Sequence, residues 1–206
     1  MASIKEVKNR IGSVTSTQQL TKAMKMVAAA KLKRAQDKVI QLRPFSNKLT
    51  VILSNLFSSG GVEDKYFVKR EIKNVLIVVI GSDRGLCGAF NSSIVRKVKN
   101  KITELEASKI PVKLICIGRK GSEVLRNSFS EKVISSYEIS TADKSSYSLA
   151  ETVGSEIMRR FELDEFGSCS IYYNKFKSVI SQVVTLWLVF NTAISGLCCC
   201  IAQSVT

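Results

Sequence analysis

The residues best equipped for chemistry stand together at Gly81-Ser82-Asp83-Arg84-Gly85-Leu86-Cys87-Gly88-Ala89-Phe90-Asn91. Glycines, a hydroxyl, a carboxylate, a guanidinium and a thiol follow an apolar run, which invites a nucleotide-site reading. A phosphate loop needs Gly-x-x-x-x-Gly-Lys-Ser/Thr, because the lysine reaches the phosphates and the hydroxyl holds magnesium. Here Gly88 is followed by Ala89 and Phe90, and Gly81, Gly85 and Gly88 do not make Gly-x-Gly-x-x-Gly either. Cys87 has the cation Arg84 nearby, but the chain contains no histidine to activate a nucleophile. Cys116 and Cys169 are isolated and Cys198, Cys199 and Cys200 are adjacent. There is no Cys-x-x-Cys pair, so neither a disulfide framework nor a zinc site is expected. The expectation is a loop used for structure or contact, with no catalytic residue, no cofactor and no metal on this chain.

The elements around the loop read as an α/β layer. Asn74–Ile80, apolar from Val75 onward and mostly β-branched, is typical of a strand buried on both faces. A helical stretch from about Ser92 to Ala107 follows the loop. The order then repeats: a strand over Val112–Ile117, a turn at Gly118-Arg119-Lys120-Gly121 and a helix through Arg126. A further helix spans about Ser148–Phe161, and a last strand, Ser168–Tyr173, leads into Asn174-Lys175-Phe176-Lys177. Strands alternating with helices imply a largely parallel sheet.

The front of the chain is different. Net charge is +14, and residues 1–50 hold eleven Lys and Arg against two acids, Glu6 and Asp37. Such a face suits an acidic protein, nucleic acid or an anionic membrane. Neither Gly nor Pro occurs between Gly12 and Pro44. With Ile4 at heptad position a, the a and d positions hold Val7, Ile11, Val14, Gln18, Thr21, Lys25, Ala28, Leu32, Ala35, Val39 and Leu42. This seam is apolar at both ends and polar in the middle, where the stripe moves to Leu20, Met24 and Val27, as a stutter allows. One seam needs a partner helix to bury it. The helix is expected to pass Pro44 with a kink and to end near Phe57, before Ser58-Ser59-Gly60-Gly61. A basic helix binding nucleic acid or a membrane surface is the alternative. The narrow, alanine-rich stripe and the lack of any aromatic before Phe45 disfavour it. Met1–Glu6 is not expected to be a signal peptide, since no apolar core follows the first charges.

Two long segments and two shorter ones resemble one family. Ile4–Val14 leading into Thr21–Gln36 resembles the amino-terminal shaft helix of gamma subunits of F-type ATP synthase. Ser82–Asn91 resembles their second hallmark. Gly118–Gly121, and Tyr173–Ser178 with Gln182, resemble weaker third and fourth ones, in family order and spacing. The resemblance covers residues 1 to about 184. It implies a long amino-terminal coiled-coil helix (residues 1–58) and a Rossmann-like α/β domain with a mostly parallel sheet (70–184). An atypical apolar tail (185–206) would stand where the family's carboxy-terminal helix is missing.

The implied function is that of a central-stalk rotor, coupling rotation of a membrane ring to ATP synthesis on the beta subunits. The implied partners are alpha and beta subunits, the epsilon subunit and the c-subunit ring, with neither nucleic acid nor a small-molecule ligand on this chain. The implied place is the cytoplasmic face of a bacterial inner membrane, held peripherally. Resemblance carries the contacts onto Lys22, Lys25, Lys31, Lys33 and Arg34, with Met24 packed on the shaft, and onto Asp83, Arg84, Leu86 and Cys87 facing an acidic loop of beta. No charge follows Lys177. The stretch after Val184 meets the length criterion for a membrane helix, but Gln182, Asn191, Thr192, Ser195 and Gly196 dilute it. A frame change or early stop is the favoured expectation, and it would leave the front helix without its intramolecular partner.

Overall fold

The computed structural model describes residues 3–58, 71–139, 146–179 and 181–190. The chain divides into two compact units, Met1–Gly61 and Val62–Thr206.

The described part of the first unit is a single helix, α1 (Ile4–Ser58), 55 residues long and running through Pro44. At 1.5 Å per residue it extends about 80 Å. The Ser3 carbonyl accepts the Glu6 and Val7 N–H groups at 2.8 and 3.1 Å, closing its first turn. Hydroxyl groups in the middle of α1 are satisfied within the helix itself. Thr15, Ser16, Thr17 and Thr21 donate their hydroxyls to the carbonyls of Ile11, Gly12, Ser13 and Thr17, four residues earlier. The apolar residues Ile4, Val7, Ile11, Val14, Leu20, Met24, Val27, Val39 and Leu42 are all exposed.

The second unit is built on a five-stranded sheet. Its elements are β1 (Val75–Ile80), α2 (Phe90–Ala107), β2 (Val112–Ile117), α3 (Arg119–Phe129), β3 (Val133–Tyr137), α4 (Ser146–Glu162), β4 (Ser168–Phe176) and β5 (Gln182–Phe190), with a short 3-10 turn, Ser130–Lys132, before β3. The order across the sheet is β3-β2-β1-β4-β5. β1 pairs parallel with β2 (Val75 beside Val112) and with β4 (Val75 beside Ser168), and β2 pairs parallel with β3. Among the described strands only β5 runs antiparallel, against β4.

Period-2 alternation sorts the strand residues onto two cores. Val75, Ile77, Val79, Leu114 and Cys116 pack with Ile94, Val95, Val98 and Ile102 of α2 and Leu125 of α3. Leu76, Val78, Ile115 and Cys169 pack on the other face with Val153, Ile157 and Phe161 of α4. Burial raises the Cys116 thiol to about 11, against a smaller opposing pull from Arg126, and the Cys169 thiol to about 12. Both stay protonated and inert near neutrality. At the end of the sheet where β2 begins, Glu165 pairs with Lys113 (3.1 Å) and Arg160 (2.8 Å), and Arg160 with Glu156 (2.6 Å).

Three features differ from the sequence expectation. Val133–Tyr137 is a strand, although Ser135 and Ser136 break its apolar run. Gly118–Gly121 is no turn: Gly118 caps α3, which starts at Arg119. A domain end at residue 184, with a tail from 185, cuts through β5, because residues 185–188 pair with β4 residues 173–170. The membrane-helix reading of that stretch therefore fails as far as Phe190, where it is strand, and no described helix is long and apolar enough to cross a membrane. Residues 191–206 of the expected tail lie outside the described residues.

Candidate subunit-contact site

The loop between β1 and α2 is held by the start of α3. The Gly81 N–H donates to the Ile117 carbonyl at 2.7 Å and the Gly118 N–H to the Tyr137 carbonyl at 2.8 Å, extending the parallel ladder past the strand ends. Gly118 sits at φ +98°, and a Cβ there would lie 2.6 Å from the carbonyl carbon and oxygen of Gly81. Only glycine allows both that backbone and that approach. Across this contact the Arg119 N–H donates to the Asp83 carboxylate at 2.9 Å, and the Lys120 N–H to the Ser82 carbonyl at 2.9 Å. The first amides of a helix are its anion-binding groups. Here Asp83 supplies the anion.

Asn91, in the first turn of α2, ties the loop from the other side. Its Oδ1 accepts the Ser82 N–H at 3.0 Å. Its Nδ2 donates to Ser82 Oγ at 2.8 Å and to Cys87 Sγ at 3.3 Å. Ser82 Oγ donates to the Arg84 carbonyl at 2.8 Å. Asn174 of β4 donates its Nδ2 to the Phe90 carbonyl at 3.1 Å. The amides of Gly81, Ser82, Phe90, Arg119 and Lys120 are thus all committed to the protein. A phosphate would find these donors taken.

The closed loop pushes its tip outward. Arg84 and Gly85 are exposed, and Leu86 is 97% exposed at φ +60°. A leucine in left-handed backbone costs roughly 1–2 kcal/mol, and a large apolar side chain in water gains nothing in return. Cys87 is half-buried beneath Leu86, against Asn91. Among the described residues no group of three His, Cys, Asp or Glu is arranged to hold a metal ion.

The expected contact residues fall into two sets. Asp83, Arg84, Leu86 and Cys87 share this one loop, but Asp83 spends a carboxylate oxygen on capping α3. Lys22, Met24, Lys25, Lys31, Lys33 and Arg34 are all exposed on α1. They do not form a single face. At about 100° per residue, Lys22, Lys25 and Lys33 share one side of the helix, while Lys31 and Met24 lie opposite and Arg34 between. Sequence reasoning assigned no role to Ser82, Asn91 and Asn174, which position the loop. Asn91 belongs to the motif, but no spacing rule marks it as the residue that joins Ser82 to Cys87.

Known proteins resemble this chain over most of its length. A family model described as ATP synthase matches residues 3–196. The ATP synthase gamma chain of Sinorhizobium medicae is 40% identical over 191 residues, covering 90% of this chain and 65% of that protein. That of Sinorhizobium fredii is 41% identical over 189 residues, covering 90% and 64%. The chain thus spans about 65% of the length of these curated relatives. Among solved structures, a chain of the Tetrahymena thermophila mitochondrial ATP synthase central stalk and c-ring superposes with TM-score 0.65 at 30% identity, covering 83% of this chain and 72% of that one. A chain of the Euglena gracilis mitochondrial ATP synthase rotor shares the fold, with TM-score 0.56 at 17% identity over 90% of this chain and 62% of that one.

Proposed function

This chain belongs to the ATP synthase gamma-chain family, and from that premise we propose that it is a central-stalk rotor component of a proton-translocating F-type ATP synthase. It carries rotation of a membrane ring to catalytic sites on beta subunits and performs no reaction itself. The observation that carries this reading is the loop Ser82–Asn91. It follows a buried parallel strand, where α/β proteins place ligands, yet the amides of Ser82 and Phe90 and those of the facing Arg119 and Lys120 are bonded internally, and its tip displays Arg84 and a strained, exposed Leu86. That is a contact device, held rigidly by Asn91 and by the start of α3.

The basic α1 suits an acidic protein surface, with exposed lysines on more than one side as a turning shaft requires. Alpha and beta subunits are the partners for α1 and for the loop tip. The epsilon subunit and the c-ring are the partners for the α/β unit, in keeping with the relative solved as a central stalk with its c-ring. The place of action is then the cytoplasmic face of a bacterial membrane, with the chain held peripherally. The nucleic-acid reading of the basic helix gains no support from the comparisons.

The test is reconstitution. The purified chain is mixed with alpha and beta subunits of a related bacterial enzyme and passed over a sizing column at low and high salt. Retention on the alpha–beta head at low salt, with no ATP bound at micromolar concentration by the isolated chain, is the expected result. Elution apart from the head, together with salt-dependent binding to DNA, overturns the reading.

A further inference from the structure

Beside its buried face, α2 leaves a cavity over the sheet. The apolar stripe of the helix, Ile94, Val95, Val98 and Ile102, packs into the core. Lys97, Asn100, Lys101 and Glu104 recur at three- and four-residue spacing and make a second stripe along its flank. With Tyr172 of β4 and Val184 and Leu186 of β5 they line a space of about 250 Å³. Tyr172 and Leu186 are partners across the two strands. The strands thus give an apolar floor, and α2 gives a polar wall.

Two observations separate this space from an ordinary packing gap. Tyr172 is only 4% exposed, and its hydroxyl has no hydrogen-bond partner among the described residues. Buried hydroxyls are normally bonded. Burial, and then the charge of Glu104, raise the Tyr172 pKa. The hydroxyl therefore keeps its proton and is a donor, within reach of the Glu104 field on the cavity side. The second observation is a charge imbalance on the wall. Lys101 is neutralised by Glu104 at 2.7 Å, whereas Lys97 has no ion-pair partner among the described residues.

We propose that this cavity binds a small organic monocarboxylate, its carboxylate on Lys97, Asn100 and the Tyr172 hydroxyl and its apolar part on Val184 and Leu186. The wall chooses the charge. Two ammonium groups and one carboxylate leave a single positive charge, which one carboxylate balances and a phosphate dianion exceeds. The Lys97 ammonium, the Asn100 amide and the Tyr172 hydroxyl all donate, and a carboxylate accepts. The floor chooses the rest of the molecule. An inorganic anion leaves Val184 and Leu186 uncovered, whereas a short aliphatic or aromatic group covers them. The family resemblance implies no small-molecule ligand, and the unpartnered Tyr172 hydroxyl is what argues for one. The site lies on a face of the sheet under α2, so it does not depend on what lies along the outer edge of β5.

The experiment is a titration of the isotope-labelled full chain with benzoate, acetate and inorganic phosphate at one fixed ionic strength, followed through its amide resonances. Benzoate should shift residues 97–104 and 184–186, with half-saturation at about 1–5 mM, as suits a ligand of so few atoms. Acetate carries the same charge without the ring and should bind at least about fivefold more weakly, and phosphate no better than acetate. Tyr172→Phe keeps the ring and removes the donor, so it should raise the half-saturation for benzoate by about threefold to tenfold. Lys97→Gln, at an exposed position, should do the same. Lys99→Gln is the control, because Lys99 turns to the other side of α2 and donates to Ser128 at 2.8 Å; it should change the half-saturation by less than about twofold. Circular dichroism checks that each variant folds. Unmoved resonances up to about 50 mM benzoate overturn the proposal and leave the cavity to water. Phosphate binding as well as benzoate overturns it too, since charge alone would then explain the site. So does benzoate binding that survives both Tyr172→Phe and Lys97→Gln. A short peptide with Glu beside Leu that binds more tightly than benzoate, and is lost in the same variants, overturns the free-ligand reading and assigns the cavity to a partner's side chain.

Discussion

Replacing Asn91 with alanine tests whether the contact loop is a built object or a loose connection. Three hydrogen bonds are removed: from the Ser82 N–H at 3.0 Å, to Ser82 Oγ at 2.8 Å and to Cys87 Sγ at 3.3 Å. A net hydrogen bond contributes about 0.5–1.5 kcal/mol, with the sulfur contact at the low end, so the loss comes to about 2–3 kcal/mol. For a unit of this size that lowers the melting temperature by about 8–12 °C. Trp187 is the chain's single tryptophan and lies in β5. Its fluorescence therefore follows unfolding of the α/β unit without contribution from α1. Asn91→Asp keeps the acceptor for the Ser82 N–H and loses the donor, so it should cost about half as much. Trypsin gives a second readout, because Arg84 at the exposed tip should be cut faster once its tether is gone. A loss below about 0.5 kcal/mol with unchanged cleavage at Arg84 would refute the claim that Asn91 holds this loop.

Other perturbations reach different parts of the account. Gly118→Ala should destabilise the α/β unit by at least about 2 kcal/mol, since a Cβ at φ +98° meets the Gly81 carbonyl; urea unfolding followed at Trp187 checks it. The Lys113 ammonium and the Arg160 guanidinium hold the Glu165 carboxyl below its ordinary 4.5, and Arg160 with Arg159 does the same for Glu156. Because the folded values are the lower ones, this stabilisation is present above about pH 4.5 and is lost as pH falls through them. Glu165→Gln should therefore show a shallower acid loss than the parent between about pH 5 and 3 in melts at stepped pH. Hydrogen exchange should be slow across Val75–Ile80 and Val112–Ile117, whose side chains fill both cores, and fast across residues 4–42 of α1, whose apolar residues are exposed.

Much of the α/β unit was legible because its central strands are buried on both faces. Val75–Ile80 reads as a continuous apolar run and Val112–Ile117 is interrupted only by Lys113, and such runs admit few alternatives between turn signals. β3 was not legible. It lies at the sheet edge with every residue only half-buried, so its serines are tolerated and no apolar run marks it. β5 failed in the opposite sense, since an uncharged apolar stretch serves equally as strand, buried helix or membrane segment, and only pairing with β4 decides. At the candidate site, sequence excluded a phosphate loop by the missing lysine, and the structure adds that the amides of Gly81, Ser82, Arg119 and Lys120 are already bonded. Asp83 read as a contact residue, yet its carboxylate caps α3, a role set by a residue 36 positions away that no local pattern reports.

The central claim is that α1 and the loop tip are contact surfaces for a catalytic head. Hydrogen exchange of the chain with and without alpha and beta subunits addresses it directly. Slowed exchange at residues 22–34 and 83–87, with β1 and β2 unchanged, is the result this account predicts. Identical exchange at both segments under conditions where the head is folded and present would contradict it.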